Sequence, residues 1–296
     1  MNEINESADQ SAVQVSFEFF PPKTPASEDR LWATVERLAP LKPRFVSVTY
    51  GADGSTRDRT HRIVSRINKE TELTGAPHLT CVDASADEID LIAQNYWNEG
   101  VRHIVALRGD PPQDKEHYEP YPGGYQYAAD LVTGLNKLAD FEISVAAYPE
   151  THPEAKTPME DMDNLKRKLD AGASRAITQF FFDPDVYLRF RDRAAASGIK
   201  ATIVPGILPI SNFASAQRFA AACGASIPDT LHKRFEGLDD DPETRQMISA
   251  SVAIETVEKL RQQGVNEFHF YTLNRAELTY AICYALGLRP QQPMQS

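Results

Sequence analysis

The sequence predicts a single-domain α/β protein closed as a (β/α)8, or TIM, barrel, and three observations carry that expectation. Eight short runs rich in β-branched and aromatic residues alternate with longer amphipathic stretches, the pattern of parallel strands joined by crossover helices. The 296 residues suit one barrel of roughly 250 residues plus tails. No GxGxxG follows the first strand, where an open dinucleotide-binding sheet would carry it. The closed barrel is therefore favoured over the doubly wound sheet.

The strands are expected at 14–20, 44–50, 77–82, 102–108, 143–148, 175–182, 201–207 and 267–272. Helical periodicity places helices at 28–41, 57–71, 86–99, 128–139, 158–171 and 184–197. The longest interval, between strands seven and eight, should add a short helix and an acidic loop within 229–242, ahead of a helix at 243–263. The barrel domain is expected over 13–288, with disordered tails at 1–12 and 289–296. Within strand one, Val15, Phe17 and Phe19 share one face, and Gln14, Ser16 and Glu18 share the other. The apolar parity packs on helices, so the polar parity points into the barrel. The same reasoning in strand two sets Val46 and Val48 against Ser47 and Thr49. Glu18 and Thr49 then lie near the C-terminal mouth, where barrel enzymes hold their chemistry.

Composition narrows the function. The net charge of −11 supplies no basic field for nucleic acid or an anionic membrane. No apolar run approaches a membrane span. The start MNEINESADQSAVQ lacks the basic and apolar regions of a signal peptide. Three scattered cysteines, Cys81, Cys223 and Cys283, form neither a CxxC pair nor a disulfide framework. A cytoplasmic protein is expected. HExxH and HxH pairs are absent, and His78 and Cys81 project to opposite faces of a strand, so no catalytic metal is expected. GxSxG, P-loop and kinase signatures are absent too.

Several polar residues sit at strand ends. Glu18, in SFEFFPP, reads either as half of a buried ion pair or as an acid whose pKa is raised by its apolar walls. A rise of about 2 units would cost roughly 2.7 kcal/mol, which a catalytic task explains better than packing. Arg108-Gly109-Asp110 closes strand four. It reads equally as a local salt bridge or as a ligand-facing turn, where glycine allows close backbone approach. His152 lies in a Pro-flanked loop, and Asp161, Asn164 and Lys168 line one face of the helix that follows, next to Arg167. That face is either solvated or a groove for a ribose and phosphates. Gln179 shares a strand face with Ile177 and Phe181 and must find partners for its amide. Arg275 either pairs locally or meets a carboxylate substrate.

Taken together, SFEFFPPK (16–23), FVSVTYGA (45–52), PHLTC (77–81), HIVALRGD (103–110), VAAYPETHPEA (145–155), ITQFFFD (177–183), VPGILP (204–209) and HFYTLNRAE (269–277) resemble the methylenetetrahydrofolate reductase family. The resemblance runs from about residue 14 to 288 and is strongest to the short bacterial members. It implies FAD as bound cofactor and NADH or NADPH as co-substrate. Hydride would pass from nicotinamide to flavin and then, in a ping-pong cycle, to 5,10-methylenetetrahydrofolate, giving 5-methyltetrahydrofolate for one-carbon metabolism and methionine supply. Glu18 matches the general acid, and Asp110 the carboxylate beside flavin and pterin. Flavin contacts are implied for Thr49, Tyr50, Ala52, His78, Arg108, Gly109, Asp110, Tyr127, Ala128, Tyr148, His152, Ala155, Asp161, Asn164, Arg167 and Lys168. Substrate contacts are implied for Glu18, Asp110, Gln179, Phe219 and Arg275. A homo-oligomer is expected, without nucleic-acid or membrane partners. Two segments depart from the bacterial pattern: 111–126 resembles the eukaryotic PGGYxYA arrangement, and Ser215 replaces a glutamine that touches folate in some members. The rival functions are a Schiff-base lyase or aldolase, which would need a lysine at the mouth that no predicted strand presents, and a non-catalytic flavin- or folate-binding module.

Overall fold

A computed structural model describes residues 12–50, 57–111 and 117–291. Nine strand segments, β1 Gln14–Phe19, β2 Val46–Val48, β3 Gly75–Thr80, β4 His103–Leu107, β5 Glu142–Ala147, β6 Arg175–Thr178, β7 Thr202–Val204, β8 Gly206–Ile207 and β9 Glu267–Tyr271, pair in parallel in the order β7-β6-β5-β4-β3-β2-β1-β9-β8. The two ends of that row are one stretch of chain broken at Pro205. Its first half bonds β6 and its second half bonds β9, so the row closes and the nine segments make eight staves.

The break has a covalent cause. Pro205 has no N–H to donate, and its carbonyl accepts from His269 N at 3.0 Å. Gly206 N turns instead to Thr178 Oγ1 at 2.9 Å. A Cβ on Gly206 would lie 2.2 Å from the Thr178 carbonyl oxygen and 2.6 Å from the Tyr271 ring, so only glycine passes through the seam.

The helices are α1 Pro25–Leu38, α2 Arg57–Glu70, α3 Ala86–Asn98, α4 Ala128–Leu138, α5 Pro158–Asp170, α6 Pro184–Ala196, α7 Phe213–Cys223, α8 Asp229–Phe235, α9 Pro242–Gln262 and α10 Glu277–Ala285. Side-chain caps fix several starts: Thr24, Ser85, Thr157, Asp183, Asn212 and Asp241 each accept from a backbone N–H of the first turn. The expected short helix and acidic loop are α8 and residues 236–241. Strand six stops at Thr178 rather than 182.

Side-chain parity is as expected in strands one and two. Val15, Phe17, Phe19, Val46 and Val48 pack outward with Leu31, Val35 and Leu38 of α1. Ser16 points inward and bonds His269 Nδ1 at 2.7 Å. The barrel axis is filled from its N-terminal end by a charged layer: Arg175, only 4% exposed, holds Glu142 at 2.7 Å and Glu267 at 3.5 Å. Above it Phe45 packs between His103 and His269, at 4.2 and 5.8 Å. Burial pushes the His103 imidazole down to about 3, keeping it neutral. A closed lower end leaves the C-terminal mouth as the place for ligands.

Candidate active site

Two adjoining cavities occupy that mouth, sharing Leu107, Ala146 and Tyr148 in their walls. The smaller, about 330 Å³, is an apolar chamber over Glu18. Its walls include Phe20, Ile177, Phe180 and Leu208, with Gln179, Phe219, Cys223, Tyr271 and Leu273 also facing it. The larger, about 680 Å³, is a long polar trough running over the ends of β4 and β5 and along α5.

Glu18 ends the inward row of β1 and meets two imidazoles. His78 Nε2, from β3, is 3.3 Å from its Oε2, and His269 Nε2, from β9, is 3.6 Å away. These are ion-pair distances without hydrogen-bond geometry, and both Nε2 atoms lack another partner among the described residues. Ser47 Oγ, at the register position beside Glu18, is likewise buried and unpaired. Such a cluster of buried polar atoms is a place for internal water. Burial pushes the Glu18 carboxyl up, but the two imidazoles outweigh it and hold it at about 2. The expected rise towards neutrality is thus overturned: the walls are apolar, but the floor carries two histidines.

The trough gathers Tyr50 after β2, Thr80 of β3, β4 with the turn that follows it, the start of α4, the end of β5 with its loop, and α5. Arg108 and Asp110 follow β4, and Gly109 between them has φ +89°. A Cβ there would lie 2.4 Å from Val82 Cγ2, so protein packing and the backbone angle both require glycine. The Arg108 guanidinium is held in one pose. Nε donates to Gly109 O at 3.0 Å, Nη1 and Nη2 grip Glu154 at 2.5 and 3.0 Å, and its face lies 4.5 Å from the Tyr118 ring centre. His152 is placed by its backbone N–H, which donates to Asp161 Oδ2 at 2.9 Å, and by an edge contact with Tyr148. Lys168 is 7% exposed, and its Nζ donates to Ala146 O at 2.5 Å. Burial pushes its pKa down to about 8 despite Asp161, with Arg108 and Arg167 adding repulsion.

The structure brings most of the sequence-predicted residues together. Tyr50, Arg108, Gly109, Asp110, Tyr127, Ala128, Tyr148, His152, Ala155, Asp161, Asn164, Arg167 and Lys168 line the trough. Glu18, His78, Gln179 and Phe219 line the chamber, so His78 stands under the chamber rather than along the trough. Thr49 is held at the end of β2 by its N–H to Phe19 O and lines neither cavity. Arg275 is exposed in the loop after β9, outside both linings. Ala52 lies outside the described residues. Gln179 and Phe181 do not share a face: Gln179 turns into the chamber, while Phe181 stacks outside on Tyr187 at 5.4 Å. Nothing in its local motif marks His269 as functional, but parity does: Glu267, His269 and Tyr271 alternate with the outward Phe268 and Phe270. Glu154, the partner of Arg108, has no sequence signal beyond its place in HPEA.

Comparison with known proteins decides the lineage. Residues 3–287 match the family model described as Methylenetetrahydrofolate reductase. The chain belongs to the methylenetetrahydrofolate reductase family. Relatives in that family include the 5,10-methylenetetrahydrofolate reductases of Pectobacterium carotovorum subsp. carotovorum, 58% identical over 95% of this chain and 92% of the relative, and of Escherichia coli (strain K12), 57% identical over 95% and 93%. Methylenetetrahydrofolate reductase (NADH) 1 of Arabidopsis thaliana is 36% identical over 97% of this chain but only 50% of its own length. Among solved structures, an uncharacterized protein from Clostridium thermocellum that binds two copies of 5-methyl-5,6,7,8-tetrahydrofolic acid shares the fold, with a TM-score of 0.61 at 16% identity over 94% of each chain.

Proposed function

We propose that this member of the reductase family reduces 5,10-methylenetetrahydrofolate to 5-methyltetrahydrofolate with NADH or NADPH through a bound FAD, in the cytoplasm, as a homo-oligomer serving one-carbon metabolism and methionine supply. The observation that carries the reading is the pair of joined cavities: a polar trough, in which Arg108, Arg167 and Lys168 stand among five carboxylates, opening past Tyr148 onto an apolar chamber whose floor holds a single carboxylate among the described residues.

The trough's chemistry fits FAD. Arg108, Arg167 and the buried Lys168 supply positive charge for phosphates or an electron-rich ring edge, and Asp161 and Asn164 supply groups for ribose hydroxyls. When bound, FAD supplies the hydride-transfer chemistry. The chain's own residues do the rest. Phe20, Phe180 and Phe219 shield a flat heterocycle in the chamber from water, and the Gln179 amide is available to orient it. Opening the bond to the substrate's N10 requires a proton at that nitrogen. Glu18 is the only carboxylate in the chamber lining among the described residues, and the two imidazoles beside it keep it ionised. His78 and His269 face that carboxylate from beneath the chamber, so the proton reaches the substrate from this buried cluster through Glu18. Ser16, bonded to His269 Nδ1, fixes the ring so that Nε2 faces the carboxylate.

Purified protein is expected to be yellow and to release FAD on denaturation. It should be bleached anaerobically by NAD(P)H and recoloured by 5,10-methylenetetrahydrofolate. Release of FMN alone, or no flavin after reconstitution, overturns the cofactor assignment. Bleaching without recolouring favours the non-catalytic flavin-binding module over a reductase.

A further inference from the structure

Beyond the residues named so far, the geometry points to Asn274 as a positioning residue: we propose that its side-chain amide locks the end of β1 to the loop after β9, holding the Glu18 carboxylate in register with the folate chamber. The inference rests on the reductase reading above.

The ladder between β1 and β9 pairs Gln14 with Glu267 through to Glu18 with Tyr271. It should fail just where the acid stands. Pro21 and Pro22 follow Phe20 and have no N–H groups to continue it. On the other side the chain turns away, with Leu273 and Asn274 at φ +51° and +53°, a left-handed pair in which asparagine is tolerated far better than most residues. Asn274 replaces the missing rungs. Its Oδ1 accepts from Phe20 N at 3.1 Å, and its Nδ2 donates to Phe20 O at 2.9 Å. Because one contact needs an acceptor and the other a donor, only one orientation of the amide satisfies both.

The clamp is itself held. Asn274 N donates to Thr272 Oγ1 at 3.1 Å, that hydroxyl donates to Glu18 O at 2.6 Å, and Thr34 of α1 donates to Asn274 O at 3.0 Å. Asn274 is 3% exposed, so water does not compete for these bonds. The backbone on both sides of the Phe19 peptide unit, at Glu18 and at Phe20, is thus fixed by the same short loop. That loop also presents Leu273 to the chamber that Phe20 lines, and Arg275 is its next residue. Acid and chamber wall, 255 positions apart in sequence between Glu18 and Leu273, move as one body. General acid catalysis depends on such placement: a misplacement of about 1 Å can cost on the order of 10²-fold.

The test is Asn274→Gly in the flavin-loaded enzyme. Glycine keeps the left-handed backbone without strain and deletes only the clamp. Rapid mixing is expected to show flavin reduction by NAD(P)H within twofold of wild type. The rate of flavin reoxidation by 5,10-methylenetetrahydrofolate should fall roughly 10–100-fold. Independently of turnover, the Kd for 5-methyltetrahydrofolate by calorimetry should rise severalfold. If Asn274→Gly does not accumulate, Asn274→Asp, which keeps the acceptor and loses the donor, serves the same measurements. A folate rate within twofold of wild type overturns the proposal, as does an equal fall in both half-reactions, the mark of a merely structural residue. Failure of the wild-type enzyme to reduce the folate at all would instead overturn the reductase reading on which the proposal rests.

Discussion

Gly109 offers the sharpest test of how the trough is built. Replacing it with alanine forces a Cβ onto a residue at φ +89° and within 2.4 Å of Val82 Cγ2 and 3.1 Å of Thr80 Cβ. The backbone component costs about 1–2 kcal/mol, and crowding in a packed site adds about 1–3 kcal/mol. Together they predict a loss of about 2–5 kcal/mol, and a fall in Tm on the order of 3–8 °C for a chain of this size. The two parts separate. Gly109→Ala combined with Val82→Ala removes the closest methyl contact, while Thr80 Cβ stays at 3.1 Å, and should recover much of the crowding part relative to Val82→Ala alone, but not the backbone part. Calorimetric Tm of the apoprotein reads both, and flavin content after reconstitution reports whether Arg108 and Asp110 on either side have shifted. A Gly109→Ala protein within about 1 °C of wild type would refute the reasoning. So would a double variant with no recovery.

Other outcomes follow from the charges around the trough. Asp110→Asn should raise the flavin potential by roughly 20–40 mV, because a carboxylate beside the ring opposes added negative charge; an unchanged or lowered potential would place Asp110 away from the flavin. Lys168, held down at about 8 by burial, is charged below that pH and neutral above it. An anion in the trough favours the charged form, so binding above pH 8 takes up a proton. FAD affinity of the apoprotein should therefore weaken as pH rises from 8 towards 10, by at most about tenfold per unit, and Lys168→Met should abolish the trend. A flat profile between pH 7 and 9.5 contradicts that role. Glu154→Gln removes the bidentate partner of Arg108 and should speed flavin loss on dilution, because the guanidinium is no longer held in one pose; an unchanged off-rate would leave the pair without a part in cofactor retention.

The barrel was legible because alternation of strand and helix periods is a local signal. The inward polar parity of strand one correctly put Glu18 at the mouth. Most of the residues that line the trough are named through the family resemblance, whereas the residues read by themselves leave the Arg108-Gly109-Asp110 turn and the α5 face open between a solvated and a ligand-facing reading. What sequence could not supply is the company each residue keeps. Glu18 reads as a carboxylate among aromatics, and only closure of the barrel brings His78 and His269 beneath it, reversing the direction of its pKa shift. The break at Pro205, which lets one strand bond both neighbours, depends on the seam geometry at Gly206 and not on local propensity. The Asn274 clamp spans more than 250 residues of sequence and has no local pattern to betray it.

The most direct test of the account is Glu18→Gln, followed through the two half-reactions separately by anaerobic rapid mixing. Reduction of the flavin by NAD(P)H needs no proton from the chamber and should proceed at close to the wild-type rate. Reoxidation by 5,10-methylenetetrahydrofolate needs the acid, which an amide cannot replace, and should slow by about 10²–10⁴-fold. Folate reduction within a few-fold of wild type, or an equal loss in both half-reactions with a less stable protein, would show that Glu18 is a structural ion-pair member and not the route by which the proton reaches the substrate.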